Sequence, residues 1–297
     1  MTILRTYDHS SDFDKVGQLL IDTYHDPDSP QTGHINWLQP RWEYMHFHPL
    51  IREVDLSRIG VWEDAGEIVG VAHPEFSGSP TYFEIRPGYE SLKAEMLGYS
   101  EERIDRAEER HEGIYLMEGD EQFAGIVATA GYKLADGAEP TSVVTANLDP
   151  DVSPIPDGFR LRSLADLDAP TKVHRLLYRG FNHAGEPDED GVADRKFMES
   201  APNFNRNLNI VAEAPNGDLV SFGGMWFEPN SKYGYVEPVA TDPDYRSRGL
   251  GKAVVVESIR RCRELGAETV FVGATLPIYL SIGFKKVYSL QKWSKSK

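Results

Sequence analysis

A short basic loop with two glycines is the part of the sequence best suited to bind an anion. It reads Arg246-Ser247-Arg248-Gly249-Leu250-Gly251-Lys252. Residues 235–241 before it have the composition of a strand, and residues 253–265 after it have apolar side chains at helical spacing. The first amides of a helix have no partner within the helix, and the helix dipole favours negative charge there. The loop is therefore predicted to bind a phosphate group.

The spacing of the glycines in the loop indicates which kind of phosphate ligand the loop suits. A nucleoside triphosphate loop needs Gly at position 246 and Ser or Thr at position 253, where this chain has Arg246 and Ala253. A dinucleotide loop needs three glycines, but this loop has only Gly249 and Gly251. A short basic loop beside a strand suits a single pyrophosphate.

Two motifs in the second half of the chain resemble a known family. Arg246-x-x-Gly249-x-Gly251 is similar to the acyl-CoA pyrophosphate loop of the GCN5-related N-acetyltransferases, the GNAT family. Tyr279-x-x-x-Gly283-Phe284 resembles the second landmark of that family and follows at a suitable distance. The resemblance covers residues 159–297. It implies an α/β (α+β) fold of the acyl-CoA N-acyltransferase type and acetyl-CoA as cosubstrate.

The resemblance also implies roles for individual residues. Backbone groups of Val239 and Thr241 would pair with the pantetheine arm. The pyrophosphate would lie on the amides of Arg246, Ser247, Arg248, Gly249, Leu250, Gly251 and Lys252. Tyr279 would protonate the departing thiolate, and Glu237 would accept a proton from the attacking ammonium.

The chain departs from the family pattern close to the tyrosine. Val272 stands where the family often has Asn, and Thr275 stands where it often has Ala. Pro277 lies two residues before Tyr279 and bears on where the short helix begins. None of these residues removes a chemical group that acyl transfer requires.

The elements around these motifs occur twice along the chain. A strand–helix start at residues 3–20 matches one at 159–177, and a hairpin at 59–71 matches one at 210–222. Gly131-Tyr132-Lys133 mirrors Gly283-Phe284-Lys285. We therefore expect two tandem copies of one fold, each a mixed, mostly antiparallel twisted sheet flanked by helices. The predicted domains are residues 1–148 and 159–297, joined by a Pro- and Asp-rich linker at 149–158.

The first copy lacks the binding motifs. Residues 85–92 contain no paired glycines, and they carry Glu90 where a phosphate would lie. Aligning Gly131 with Gly283 places Val127 at the position of Tyr279. The first copy is therefore predicted to be degenerate.

Charge and composition exclude several classes of protein. The first 150 residues have a net charge of −17 (11 basic, 28 acidic) and the rest +1 (20 basic, 19 acidic). This balance disfavours nucleic acid and anionic membranes as partners and tolerates a cationic amine. No apolar run is long enough to span a bilayer, and the first residues do not form a signal peptide, so a cytoplasmic location is expected.

Other candidate residues have ordinary structural interpretations. The aromatic run at residues 37–49 suits an interface between the two copies better than a cation pocket. His46 and His48 lack a third ligand at matching spacing, so no metal is expected. The only cysteine, Cys262, lies on the apolar face of its helix. The acidic run at 186–191 is predicted to be a solvated loop, with contact to a cationic acceptor as the alternative.

These observations favour an N-acetyltransferase that acts by direct transfer to the primary amine of a small molecule or peptide. Two alternatives remain open at this point. One is a non-catalytic acyl-CoA sensor that binds a protein partner. The other is a tandem acetyltransferase acting on an amino sugar or on the amine of a thiol precursor. A homodimer is also left open.

Overall fold

The computed structural model describes residues 1–24, 37–104, 113–147, 155–187 and 191–295. The strands are β1 (Ile3–Thr6), β2 (Gly60–Asp64), β3 (Glu67–Pro74), β4 (Thr81–Ile85), β5 (Ile114–Met117), β6 (Lys133–Leu134), β7 (Glu139–Thr145), β8 (Arg160–Ser163), β9 (Ile210–Glu213), β10 (Leu219–Glu228), β11 (Tyr233–Thr241), β12 (Thr269–Val272) and β13 (Lys285–Ser294). The α-helices are α1 (His9–Asp22), α2 (Gln39–Phe47), α3 (Lys93–Tyr99), α4 (Glu121–Thr129), α5 (Pro170–Gly180), α6 (Gly191–Glu199), α7 (Leu250–Glu264) and α8 (Pro277–Ile282).

The chain divides into two compact units. Unit 1 contains Met1–His46, Leu50–Pro140 and Val287–Lys297, and unit 2 contains Phe47–Pro49 and Thr141–Lys286. The strand order is β1-β2-β3-β4-β5-β13 in unit 1 and β8-β9-β10-β11-β12-β7 in unit 2. In each sheet the fourth and fifth strands are parallel and the other neighbours are antiparallel. The prediction of two similar, mostly antiparallel sheets flanked by helices is confirmed.

The last strand of each sheet comes from the other half of the sequence. In unit 1, β13 pairs with β5 through Leu290↔Met117 and the three residues that follow. In unit 2, β12 pairs with β7 through Val272↔Ser142 to Thr269↔Thr145. The compact units therefore differ from the predicted domains 1–148 and 159–297, because strand pairing assigns residues 141–147 and 287–295 to the opposite units. The predicted linker at 149–158 stays a prediction, since residues 148–154 lie outside the described ones.

Local chemistry explains where the helices begin. The Asp8 carboxylate accepts the amide proton of Ser10 at the start of α1, and Asp120 accepts that of Phe123 at the start of α4. Pro170 and Pro277 occupy the first turn of α5 and α8, where a missing N–H group costs nothing. Because α8 begins at Pro277, Tyr279 lies in its first turn.

The core of unit 2 is built around α7, which packs on the sheet. Buried apolar residues of α7, β11, β12, β7 and α8 form one cluster, which includes Val144, Val236, Ile259, Val270, Tyr279 and Phe284. Cys262 belongs to this cluster and is fully buried, and burial raises the pKa of its thiol to about 12. The thiol therefore stays protonated, which fits a packing role and not a nucleophilic one.

Candidate active site

An open strand edge lies at the centre of unit 2. The parallel pairing of β11 with β12 ends at Tyr235↔Phe271, whereas the antiparallel pairing with β10 continues to Thr241↔Ser221. Since β12 ends at Val272, the described residues contain no partner strand for the last part of β11 on that side. A bound molecule with amide groups could occupy this edge as an extra strand does.

The register of β11 determines which of its backbone groups face the open edge. The amide of Asp242 donates to Val220 O at 3.0 Å, so Thr241 and Ser221 are opposite residues that do not bond each other. The same holds two residues earlier for Val239 and Gly223. The N–H and C=O groups of Val239 and Thr241 therefore point away from β10, although Thr241 O already accepts the Nε–H of Arg246 at 3.1 Å. This orientation suits the pairing that the sequence predicts for both residues.

A β-bulge in β11 places the predicted base. The pairing with β10 shifts between Gly223 and Met225, so Glu237 and Pro238 lie opposite the single residue Gly224. A Cβ atom on Gly224 would overlap the carbonyl group of Glu237. Trp226 Nε1 donates to the same carbonyl oxygen at 3.0 Å. The bulge is not among the features predicted above, although the adjacent glycines 223 and 224 within a strand are a sequence signal for it.

Glu237 and Tyr279 influence each other electrostatically. Tyr279 is 6% exposed, and its ring packs edge-on against Phe284 with a centroid distance of 5.7 Å. Its hydroxyl has no hydrogen-bond partner within the described part of the chain. Burial raises the pKa of Tyr279 well above its ordinary value, and the negative charge of half-buried Glu237 raises it further. The hydroxyl therefore holds its proton at neutral pH, as a proton donor must.

The predicted anion loop has several unpartnered amides. Ser247 and Gly249 both adopt left-handed backbone conformations, with φ of 61° and 78°, and Gly249 immediately precedes the first residue of α7. The amides of residues 247–251 make no hydrogen bond to any described residue, and residues 246–249 are exposed. Left-handed residues in a loop of this kind can turn successive N–H groups toward one point, as in the anion-binding concavities of other proteins.

Gly251, the second glycine of the loop, allows α7, α8 and the end of β11 to pack closely together. A Cβ atom on Gly251 would lie 3.0 Å from Ile278 Cδ1 and 3.2 Å from Thr241 Oγ1. These contacts come from α8 and from the end of β11, so a larger residue would push the first turn of α7 away from both. Gly251 thus keeps the loop amides close to the open edge and to the helix that carries Tyr279.

The basic side chains of the loop form hydrogen bonds that connect it to neighbouring elements. Arg246 donates to Gly180 O and Asn182 Oδ1 as well as to Thr241 O. Arg248 donates to Asp244 O at 3.0 Å and lies over the ring of Tyr245. Lys252 donates to Ser281 O on α8 at 3.1 Å. These contacts hold the basic side chains beside the loop, and the backbone amides of residues 247–251 stay without a partner among the described residues.

In the corresponding segment of unit 1, residues 85–92, a side chain of the segment itself accepts a hydrogen bond from its backbone. The amide of Gly88 donates to Glu90 Oε1 at 2.9 Å, so a carboxylate occupies the place expected for a phosphate. Val127 lies on α4 with no exposed surface and is part of the core. Gly131 and Gly283 both end their helices in the left-handed conformation, with φ of 95° and 114°, as the internal repeat predicts.

The remaining candidates occupy structural positions. His46 is buried, with Nδ1 2.9 Å from Trp42 O and Nε2 3.1 Å from the Tyr7 hydroxyl, and burial lowers its pKa to about 3. The described residues contain no group of three or more His, Cys, Asp or Glu side chains arranged to hold a metal ion. None of the helices within the described ranges is both long and apolar enough to cross a membrane. Part of the acidic run, residues 188–190, lies outside the described residues.

Comparison with known proteins supplies the family context. Residues 172–284 match the model of the acetyltransferase (GNAT) family. Glucosamine 6-phosphate N-acetyltransferase of Trypanosoma brucei brucei is 29% identical over 84 residues, which is 26% of this chain and 57% of that protein. Mycothiol acetyltransferase of Saccharomonospora viridis is 25% identical over 146 residues, 45% of this chain and 48% of that protein. The chain thus spans about half the length of the curated relatives it matches.

Solved structures match the fold over nearly the whole chain. A GCN5-related N-acetyltransferase from Sphaerobacter thermophilus superposes with a TM-score of 0.64 at 14% identity, covering 98% of this chain and 94% of that one. A tandem GNAT protein from the clavulanic acid biosynthesis pathway superposes with a TM-score of 0.60 at 14% identity, covering both chains completely. At this identity the likeness concerns the fold alone, and it extends over both units.

Proposed function

The chain carries a GNAT acetyltransferase domain and is a member of that family, and on this premise we propose that unit 2 transfers the acetyl group of acetyl-CoA directly to a primary amine. The observation that carries the proposal is the convergence of three features at the end of β11. They are the open strand edge, the loop with unpartnered amides, and a protonated Tyr279 within the electrostatic influence of Glu237. Each feature offers what one part of the reaction requires.

The residues present fit the cosubstrate. The open groups of Val239 suit the amides of a pantetheine arm, and the concavity formed by the amides of residues 247–251 suits a pyrophosphate. When bound, acetyl-CoA supplies the activated thioester carbonyl. Gly249 and Gly251 leave room for the phosphate oxygens because neither presents a Cβ atom.

The proposed chemistry consists of proton transfers to and from the reacting groups around one acyl transfer. Glu237 accepts a proton from the acceptor's ammonium group, directly or through water, so that the nitrogen lone pair can attack the carbonyl carbon. The new C–N bond forms as the C–S bond breaks, Tyr279 donates its proton to the departing sulfur, and the second proton of the nitrogen passes to the resulting Tyr279 phenolate, directly or through water, which leaves a neutral amide. Holding both reactants at one strand end supplies a large part of the acceleration, because a bimolecular reaction becomes effectively unimolecular.

The acceptor is the open part of the proposal. The named relatives make glucosamine 6-phosphate and other amino sugars the first acceptors to assay, followed by the amine of a thiol precursor. Cationic small molecules and peptides complete the panel. Binding of acetyl-CoA without release of CoA across this panel would favour the alternative of a non-catalytic acyl-CoA sensor.

A thermal-shift titration with acetyl-CoA tests the cofactor site. Wild type is compared with Gly249→Asp, which places a negative charge and a strained left-handed residue at the loop. Gly66→Asp is the matched control, since Gly66 has φ of 90°, equally open surroundings, and a hairpin position in unit 1. A hundredfold excess over Kd should stabilise wild type and the control by about 2.7 kcal/mol. Loss of this shift in Gly249→Asp alone supports the proposal, whereas an unchanged shift would remove the loop assignment.

A further inference from the structure

A buried tryptophan of β10 forms a hydrogen bond with the backbone of the predicted base. Trp226 is 2% exposed, and its Nε1–H group donates to the carbonyl oxygen of Glu237 at 3.0 Å. This carbonyl belongs to the bulge of β11, where Glu237 and Pro238 lie opposite the single residue Gly224. A side-chain donor thus reaches the place in β11 where the regular pairing with β10 is interrupted.

Strand pairing restrains Glu237 weakly on both sides. Toward β10, a bulge disrupts the ladder of hydrogen bonds locally and bends the strand. Toward β12, the parallel pairing ends at Tyr235↔Phe271, two residues before Glu237. The direction of a strand side chain follows from the conformation of its backbone. The hydrogen bond from Trp226 therefore acts on the backbone of Glu237 where the two neighbouring strands restrain it least.

The indole of Trp226 is itself held from α6 through aromatic contacts. Its ring packs edge-on against Phe204 with a centroid distance of 5.7 Å. The guanidinium of Arg195 lies 5.6 Å from the ring centre of Phe204 and 5.3 Å from that of Phe222. Arg195 is 4% exposed, and its Nε donates to Glu199 Oε1 at 3.2 Å. A continuous set of buried contacts therefore leads from α6 to the Glu237 carbonyl.

Tryptophan is well suited to hold a carbonyl group in one place. The indole ring offers a single N–H donor and no acceptor, and the ring is rigid. Because Trp226 is buried and packed against Phe204, its N–H group cannot turn to another partner as a hydroxyl group can. A misplacement of about 1 Å at a reacting group can lower a rate about 100-fold. The position of the Glu237 backbone is therefore of consequence for catalysis.

We propose that Trp226 is a positioning residue of the acyl transfer, which holds the backbone of Glu237 so that its carboxylate faces the attacking amine. Phe204 and Arg195 keep the indole in place. The inference rests on the proposed function, since it concerns the proposed base. It extends that function to a residue that acts through the backbone of Glu237 instead of on a reacting atom.

A double-mutant cycle between Trp226 and Glu237 tests the inference. Trp226→Phe removes the N–H donor and keeps an aromatic ring, so kcat should fall about tenfold in the chain that retains Glu237. The KM for acetyl-CoA should change less than about twofold, because the lost hydrogen bond involves neither the open edge nor the loop amides. In the Glu237→Gln background, Trp226→Phe should lower kcat by less than about twofold, since no base remains to be misplaced.

Two further variants separate positioning from a general loss of structure. Trp62→Phe is the matched control, because it removes the indole donor of another buried tryptophan, which bonds Glu95 Oε1 at 3.0 Å in unit 1. It should change kcat by less than about twofold in either background. Phe204→Leu leaves the indole in place but removes the ring contact that holds it. It should lower kcat about threefold with Glu237 present and leave kcat unchanged in Glu237→Gln.

The outcomes distinguish the inference from the proposed function. An equal fold-loss of kcat from Trp226→Phe in both backgrounds would overturn the inference, and so would an unchanged kcat in the chain that retains Glu237. If Trp226→Phe does not fold, the same comparison with Phe204→Leu decides. A folded wild type that transfers no acetyl group to any acceptor would remove the proposed function. An unchanged kcat in Glu237→Gln would remove the base on which the inference depends.

Discussion

At the scale of single residues, the proposed chemistry rests on Tyr279 and Glu237, two side chains that are 42 positions apart in the sequence. Burial of Tyr279 in an apolar cluster determines its protonation state, and the charge of Glu237 adds to the effect. A phenol whose pKa is raised remains a proton donor throughout the range in which an amine can be deprotonated. The burial of Tyr279 thus suits it to the role of acid, and half-buried Glu237 is suited to the role of base in the proposed reaction.

Tyr279→Phe should lower kcat by about 100-fold, because a positioned general acid contributes about 10² to 10⁴ in rate. Affinity for acetyl-CoA should change less than twofold, since the ring and its contact with Phe284 remain. Steady-state kinetics with the best acceptor, together with a thermal-shift titration, separates the two effects. An unchanged kcat would exclude Tyr279 as the acid.

Glu237→Gln should lower the pKa of Tyr279 toward its ordinary value, because it removes the negative charge that raises that pKa. Burial still raises the pKa, so the reduction is partial. Ultraviolet difference titration of wild type, Glu237→Gln and Tyr279→Phe identifies the signal of Tyr279. The acyl-transfer rate should also fall about tenfold or more through loss of the base. A titration identical in wild type and Glu237→Gln would show that the two groups do not interact.

At the scale of elements, the bulge in β11 and the strand β7 position these residues. The bulge needs Gly224, whose missing side chain leaves room for the carbonyl of Glu237. The strand β7 completes the sheet next to β12, which leads directly into α8 and Tyr279. Both elements act through backbone geometry and packing instead of through contact with a reacting atom.

Gly224→Ala should destabilise unit 2 by about 1–3 kcal/mol, because the new methyl group must displace strand backbone. The value of kcat/KM should fall by more than the loss of folded protein explains, since the displaced group is the backbone of Glu237. Gly98→Ala in α3 is the control, because Gly98 has open space around it and the change favours helix formation by up to about 1 kcal/mol. Denaturant unfolding and kcat/KM measure the two effects, and full activity in Gly224→Ala would contradict the role of the bulge.

Two neighbouring residues of β7 test whether this strand belongs to unit 2. Val144 is buried beside Tyr279 and Phe284, whereas Thr145 is exposed on the opposite face of the strand. Val144→Asp buries an unpaired carboxylate and should lower Tm by roughly 6–12 °C and weaken acetyl-CoA binding. Thr145→Asp should change Tm by less than about 2 °C. Equal effects of the two substitutions would count against the pairing of β7 with β12.

At the scale of the whole molecule, the exchanged strands make each half of the sequence necessary to the other's sheet. Leu290 of β13 is buried in the core of unit 1, and Val144 and Ala146 are buried in the core of unit 2. The first half of the sequence thus has a structural task in unit 2, to which it contributes the strand β7. In this half, the Glu90 carboxylate accepts the amide proton of Gly88 in the segment where a phosphate would be expected.

Cleavage between the halves should therefore not release them. Residues 149–153 can be replaced by a protease recognition sequence and cut after folding. Both fragments should elute as one peak in native size-exclusion chromatography and separate only in denaturant, because each unit retains a buried strand from the other fragment. The uncut protein provides the reference volume, and two peaks under native conditions would refute the exchange.

The sequence by itself determined the features that depend on neighbours within a few residues. The loop between a strand and a helix start, the tyrosine motif and the repeated element order follow from residue type and spacing; the fold they predict is confirmed, and residues 172–284 match the model of the predicted family. The roles assigned to Tyr279, Glu237 and the loop amides stay predictions that the kinetic and binding experiments address.

Only the tertiary structure decided the features that depend on pairing between distant residues. The exchange of β7 and β13 and the hydrogen bonds of Arg179 with Asp242 and of Arg246 with Gly180 each join segments that are far apart in sequence. Local composition does not encode such pairings, because a β-strand has the same alternating pattern whichever strand it joins. Which sheet receives a strand is settled by the burial and hydrogen bonding of the whole chain.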